Sequence, residues 1–172
     1  PARYVVKSCV HLNISPNSVT GFGWLLTVIA GYAFYLGAYP LGLLAAWLMT
    51  FLDTVDGKLA RVTLQSSSLG HVMDHALDII HPPIWYWCWA LGLGVSSIDL
   101  LGYSASLSEW GIVMLAAYLL GRVFEGLFQW WFVHASIFCW TRLDSYHRLI
   151  TARRNPSMII MTAAVLLMAP TA

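Results

Sequence analysis

Four aspartates stand close together in a predominantly apolar chain, in DTVDGKLAR at residues 53–61 and GHVMDHALD at residues 70–78. They are half of the eight acidic residues in a chain of 172 residues that is 59% hydrophobic and 10% charged. Ordinary soluble domains contain roughly 25% charged residues, so this composition excludes a typical soluble domain and also a disordered chain. The aspartates therefore belong to segments that we expect to cross a membrane, where acidic side chains are rare and mark functional sites.

The apolar stretches around the aspartates have the length of membrane spans, about 20 residues for a bilayer core of about 30 Å. We expect spans at residues 18–39, 40–61, 69–94 and 108–134, and a fifth that begins at Pro156 and is cut short of a full span at Ala172. Residues 2–12 mix basic and apolar side chains, which is typical of an interfacial helix. The predicted fold is all-α: a polytopic transmembrane bundle with about five spans in one domain, residues 1–172, beginning with a juxtamembrane helix within residues 1–14.

The basic residues indicate how the chain is threaded through the membrane. If Arg3 and Lys7 are cytoplasmic, the loop that follows Lys58 and the segment from Arg142 to Arg154 are on the same side, whereas the opposite loops contain no Lys or Arg. This asymmetry follows the positive-inside rule and predicts a multi-pass membrane protein with its aspartates towards the cytoplasm. A net charge of +1 gives no footprint for nucleic acid. Three cysteines at wide spacings favour neither a disulfide framework nor a zinc site.

The two pairs of aspartates are predicted to meet at one depth. Asp53 and Asp56 share one helix face, Asp74 and Asp78 share another, and the two spans run in opposite directions. Four carboxylates in a low-dielectric region repel one another or protonate unless cations neutralise them. Hard divalent ions take oxygen ligands, so the residues favour a site for Mg²⁺ or Mn²⁺, most naturally for two ions. Histidines near the aspartates, at positions 71, 75 and 81, suit such ions less well, and we interpret them as packing or hydrogen-bonding residues.

Small residues continue the faces that carry the aspartates. Gly57 and Ala60 continue the face of Asp53 and Asp56 one and two turns on, and Gly70 precedes Asp74 on its own face. They leave room for a flat or bulky ligand to approach the backbone, although close helix packing in the membrane is the alternative explanation. Arg61 adds a guanidinium group, which binds phosphate well.

This pattern resembles the D-x-x-D-G-x-x-A-R-x8-G-x-x-x-D-x-x-x-D signature of the CDP-alcohol phosphotransferases, without a gap or a substitution. The segment Pro16-Asn17-Ser-Val-Thr20 resembles the family's start. The resemblance implies six transmembrane helices, of which this chain shows five at most. It also implies a homodimer. It further implies a transferase of phospholipid synthesis that uses a CDP-alcohol, with CDP-diacylglycerol as the expected donor.

The resemblance also implies a role for each residue of the signature. The implied metal ligands are Asp53, Asp56, Asp74 and Asp78, and the implied nucleotide-binding residues are Asp56, Gly57, Ala60, Arg61 and Gly70. Asp78 would act as the general base. The acceptor hydroxyl would lose its proton to Asp78 and attack the phosphorus of the CDP-linked alcohol, and CMP would leave.

Acceptor binding is assigned to three arginines outside the signature: Arg122, Arg142 and Arg148. For Arg122, inside the fourth span, the alternative is a local pair with Glu125. For Arg142 and Arg148 the alternative is that they only set the topology.

Other functions remain open from the residues alone. A related enzyme could use CDP-choline or CDP-ethanolamine as donor to diacylglycerol. A divalent-cation transporter would also place carboxylates in a membrane, but it needs access from both sides. A purely structural membrane protein is a third alternative.

Overall fold

The structure is a computed structural model that describes residues 1–64, 68–94, 97–100, 102–132, 142–143, 146 and 154–168. Its helices and strands are α1 (Ala2–His11), α2 (Pro16–Tyr35), α3 (Tyr39–Thr63), α4 (Ser68–Gly92), β1 (Ser97–Leu100), β2 (Tyr103–Ser106), α5 (Leu107–Trp131) and α6 (Arg154–Met168). The chain divides into two compact units, Pro1–Gly92 and Leu93–Ala172. Each unit is described by itself.

The ends of α2 and α3 follow from local sequence. The Ser15 hydroxyl accepts a hydrogen bond from the Ser18 N–H at 3.2 Å, and Pro16 occupies the first turn, where a missing N–H costs nothing. Pro40 has the same position in α3. Leu64 ends α3 with a positive φ of 55°, a conformation that reverses the chain direction after the helix. These bounds lie within a few residues of the predicted spans.

In the first unit, α2 packs against both α3 and α4. The Trp85 indole N–H donates to the Thr27 carbonyl at 3.0 Å, and Phe34, near the end of α2, contacts both Trp85 and Trp89. Successive contacts advance along α2 and α4 together, so these two helices are parallel. Contacts of α2 with α3 run in the reverse order, from Phe34 near Gly42 to Thr20 at Asp56. Helices α3 and α4 are therefore antiparallel, as predicted.

Helix α1 lies against α3 through one apolar face. Ala2, Val6 and Cys9 are buried in a cluster with Val55 and Leu59 of α3. The other side chains of α1, including the basic ones, are exposed or half-buried. The amphipathic helix expected near the N-terminus is therefore present from Ala2 to His11, and its location at a membrane surface stays a prediction.

The second unit contains an antiparallel hairpin, in a segment for which the sequence predicts a loop between two spans. Strand β1 pairs with β2 in a register that places Ser97 opposite Ser106. Ser106 also caps α5: its hydroxyl accepts from the Glu109 N–H at 3.3 Å, and the Glu109 carboxylate accepts from the Ser106 N–H at 2.7 Å. This capping box gives α5 a defined start directly after the strand.

Among the residues that the structure describes, two helices are long and apolar enough to cross a membrane, α2 and residues Glu109–Trp131 of α5, while Asn155–Leu167 of α6 is apolar but shorter. Large side chains on both long helices point outward, with 65% of Val28 and 64% of Phe124 exposed. An outward apolar surface of this kind suits a lipid environment. The larger number of spans stays a prediction.

Candidate active site

Asp56 is a buried carboxylate held by a residue of another helix. Only 7% of Asp56 is exposed, and its Oδ2 atom accepts a hydrogen bond of 2.7 Å from the Thr20 hydroxyl of α2. Thr20 is itself buried, with 6% exposed. Asp53 lies one turn before Asp56 on the same side of α3 and is partly exposed. This hydrogen bond fixes one side-chain conformation of Asp56 and ties α2 to the signature segment of α3.

Thr20 is the residue that the sequence analysis missed. In the sequence it belongs to the segment that opens the first span, and the sequence pattern gives it no role of its own. The signal available was a threonine one turn after Pro16 in a largely apolar helix. Its partner lies 36 positions away, so no local pattern links the two.

The second half of the signature lies at a matching level along α2. A Cβ atom at Gly23 would lie 3.9 Å from side-chain atoms of both Leu77 and Met49, so these residues face the same point of α2. Asp78 follows Leu77 and is exposed. At 1.5 Å per residue the backbone of Asp74 lies about 5 Å before Leu77, level with Thr20. The side chain of Asp74 is outside the part of the structure that is described.

Little stands next to Gly57, the residue that follows Asp56. A Cβ atom at Gly57 would meet, among the described residues, only the Arg61 Nη2 atom, at 3.8 Å. The exposed Arg61 side chain therefore folds back over Gly57. Ala60 and Gly70 are partly buried. Among the predicted nucleotide residues of α3, Gly57 thus has a backbone that a ligand can approach.

The carboxylates fit a hard divalent ion by their chemistry. Asp53 and Asp56 supply oxygen atoms one helical turn apart, the donor type that Mg²⁺ and Mn²⁺ prefer. Within the described side chains, which do not include Asp74, no three His, Cys, Asp or Glu residues are placed to hold one metal ion together. His81 has a different role: it is buried, its Nδ1–H donates to the Leu77 carbonyl, and its ring packs edge-on against Trp85.

Arg122, in the second unit, forms a local ion pair with Glu125, which is the alternative to a role in acceptor binding. Its Nη1 atom lies 3.1 Å from Glu125 Oε2, and its guanidinium lies 5.7 Å from the centre of the Tyr118 ring. Arg142 is exposed, and Arg148 is outside the described residues. The acceptor-binding role of these three arginines stays a prediction.

Comparison with known proteins gives a family match. The model of the family described as CDP-alcohol phosphatidyltransferase matches residues 13–171. An archaetidylinositol phosphate synthase of Pyrococcus horikoshii is 37% identical over 78 residues, which are 45% of this chain and 42% of that protein. No solved structure is significantly similar.

Two further relatives carry other names. A bifunctional IPC transferase and DIPP synthase of Thermococcus kodakarensis is 33% identical over 94 residues, 46% of this chain and 22% of that protein. Cholinephosphotransferase 1 of Danio rerio is 35% identical over 83 residues, 39% of this chain and 20% of that protein. The matched region is less than half the length of each of these relatives. The family match covers nearly the whole chain and confirms the resemblance of its aspartate signature: the chain belongs to the CDP-alcohol phosphatidyltransferase family.

Proposed function

We propose that the chain transfers a phosphatidyl group from CDP-diacylglycerol to an acceptor hydroxyl and releases CMP, in phospholipid synthesis. The observation that carries this proposal is the buried Asp56, held by Thr20 and bordered by the open face of Gly57 and Arg61. A purely structural protein has no use for a buried carboxylate within an apolar helix bundle, because such a carboxylate is costly.

In this proposal the two helices divide the work. Asp53 and Asp56 on α3, with Asp74 on α4, would hold divalent ions, and Thr20 keeps the Asp56 carboxylate in one orientation. The nucleotide would lie against Asp56, Gly57, Ala60 and Gly70, with the Arg61 guanidinium on its phosphate end.

Asp78 would take the proton of the acceptor hydroxyl. As the acceptor oxygen forms its bond to the β-phosphorus, which carries the alcohol, the bond from that phosphorus to the bridging oxygen breaks and CMP leaves with the electron pair. The divalent ions, Mg²⁺ or Mn²⁺, would supply charge neutralisation on the phosphates. Asp78 is exposed, so a hydroxyl can reach it. General-base assistance of this kind is typically worth about 10²–10⁴-fold in rate.

The alternative donor is CDP-choline or CDP-ethanolamine, with diacylglycerol as acceptor. The relative named cholinephosphotransferase supports keeping it, whereas the more similar relative is named archaetidylinositol phosphate synthase. We further propose one integral-membrane domain over residues 1–172, a homodimer, a multi-pass topology and an active site that faces the cytoplasm.

The test is an assay of CMP release from purified, lipid-reconstituted chain. Incubation with CDP-diacylglycerol, Mn²⁺ or Mg²⁺ and a panel of hydroxyl acceptors is expected to release CMP with at least one acceptor. A parallel incubation uses CDP-choline and diacylglycerol. Asp56→Asn and chelation by EDTA serve as controls. Uptake of Mn²⁺ into vesicles without CMP release would support a transporter instead.

A further inference from the structure

A groove with a basic rim lies between α1 and the C-terminal half of α3. It has a volume of about 520 Å³, and its lining comprises Arg3, Val6, Lys7, Val10, His11, Lys58, Arg61 and Val62. Valine side chains from both helices form the apolar part of the groove. Every charged residue that lines it is Lys or Arg, and none is acidic. The groove therefore combines an apolar floor with a positive edge.

Within the part of the chain that the structure describes, no carboxylate pairs with the positive charges at this edge. Among the described residues, none of the four Lys and Arg side chains of the groove forms an ion pair with a carboxylate; the ion pair that the structure shows is Arg122 with Glu125. Arg3 donates to the Tyr4 hydroxyl and stacks on that ring, which holds its guanidinium near α1 without neutralising it. Like charges gathered beside apolar surface repel unless an anion joins them. The groove thus favours a ligand that brings negative charge.

The apolar floor of the groove favours an anion that also carries apolar groups. Val10 and Val62 are 41% and 65% exposed, so a free phosphate ion would leave this surface in contact with water. A phospholipid satisfies both parts of the groove, because its phosphate meets the cations while its glycerol and first acyl carbons cover the valines. Helix α1 carries its basic residues on an amphipathic helix, the arrangement that attracts anionic lipids at a membrane surface.

We propose that this groove binds the headgroup of an anionic phospholipid of the surrounding leaflet and thereby docks α1 to the membrane and to α3. The proposal goes beyond the transfer reaction, since it requires neither divalent ions nor a CDP-linked substrate. Arg3 and Lys7, which have no part in the proposed chemistry, supply the α1 side of the rim. Lys58 and Arg61 supply the α3 side.

The test uses the purified full chain in neutral detergent with EDTA and without nucleotide. Binding of dihexanoylphosphatidylglycerol is compared with binding of dihexanoylphosphatidylcholine, by native mass spectrometry and by the shift of the thermal unfolding midpoint. We expect the anionic lipid to bind more tightly. Each Lys or Arg near an anionic lipid surface contributes about fivefold in affinity, so Arg3→Gln with Lys7→Gln is expected to weaken binding about 25-fold.

Two further variants separate a site from general attraction. Ser8→Glu lowers the charge of the same helix at an exposed position outside the groove, and it is expected to keep the affinity close to that of the unmodified chain. Val10→Trp keeps every charge and fills the floor, and it is expected to weaken binding of the anionic lipid. Circular dichroism verifies that each variant keeps its helices.

Three results would overturn the proposal. Equal affinity for the two lipids would show that the cations of the groove do not select an anionic headgroup. An equal loss from Ser8→Glu and from Lys7→Gln would show only surface attraction. Unchanged binding by Val10→Trp would place the lipid elsewhere. None of these results bears on CMP release, so the proposal can fail while the transferase function holds.

Discussion

The Thr20 hydroxyl and the Asp56 carboxylate join α2 to α3 by a hydrogen bond of 2.7 Å in the buried interior of the first unit. A hydrogen bond to a charged group is typically worth about 1.5–3 kcal/mol. Because Asp56 is also a proposed metal and nucleotide residue, the contact connects the packing of the helices with the orientation of a ligand.

Replacement of Thr20 therefore tests this connection. Thr20→Val keeps the shape of the side chain and removes the donor, so we expect Mn²⁺-dependent CMP binding, measured by calorimetry, to weaken about tenfold or more. Thr20→Ser keeps the hydroxyl and is expected to restore most of the affinity. If Val and Ser behave alike, Thr20 contributes packing and not orientation. Thermal unfolding of each variant without ligand measures the packing effect separately.

The two halves of the signature are expected to fail in different ways. Asp78→Asn is nearly isosteric at an exposed position and should preserve most of the metal and CMP binding while lowering turnover at least about a hundredfold. Asp56→Asn should lose metal-dependent CMP binding itself. Near-normal turnover of Asp78→Asn at saturating acceptor would show that another group takes the proton.

Gly57 offers a steric test of the open face. The Cβ atom of Gly57→Ala would make only an ordinary contact with Arg61, at 3.8 Å, so we expect a folded protein with impaired CMP binding. Gly21→Ala is the matched control, since its Cβ atom meets nothing within 4 Å. Both changes favour helix by about 1 kcal/mol. Equal CMP affinity in the two variants would contradict the placement of the nucleotide against Gly57.

Two substitutions distinguish the role of Arg122 from that of its partner, Glu125. If Arg122 serves the acceptor, Arg122→Ala should raise the acceptor KM or lower kcat by about 30-fold, the equivalent of about 2 kcal/mol, and leave CMP affinity unchanged. Glu125→Gln removes the partner and keeps the arginine, so it should have little effect on kinetics. Matching losses of thermal stability with unchanged kinetics would assign the pair to structure alone.

The proposed threading predicts which surfaces reagents can reach. Single cysteines are introduced at Lys7 and at Tyr103, after replacement of the native cysteines at positions 9, 88 and 139. A membrane-impermeant thiol reagent should label position 7 from the cytoplasmic side and position 103 from the opposite side. Labelling of both from one side would overturn the threading.

Much of the helical architecture could be predicted because hydropathy and turn residues act locally. Pro16 and Pro40 mark the starts of α2 and α3, and long apolar runs give α4 and α5 their extent. The sequence does not predict the hairpin because its segment lacks a continuous apolar pattern. The pairing of β1 with β2, from Ser97–Ser106 to Leu100–Tyr103, organises it.

Long-range contacts could not be read in the same way. The sequence predicts that the two aspartate pairs lie on antiparallel helices, and α3 and α4 are antiparallel in the structure. The sequence does not show that α2 packs against both of these helices. The Thr20–Asp56 hydrogen bond depends on that packing. A residue whose role comes from a partner on another helix has no local signal in its own segment.

The approach of α4 to the end of α2 has a consequence for the signature. A Cβ atom at Gly92 would overlap the Phe34 carbonyl, so the two helices touch there through backbone. Asp78 lies about 21 Å along α4 from this contact. Any side chain at Gly92 would push the two helix ends apart, and we expect such a displacement of α4 to change the position of Asp78 without a direct contact. The alignment of the proposed base would therefore depend partly on the absence of a methyl group at Gly92.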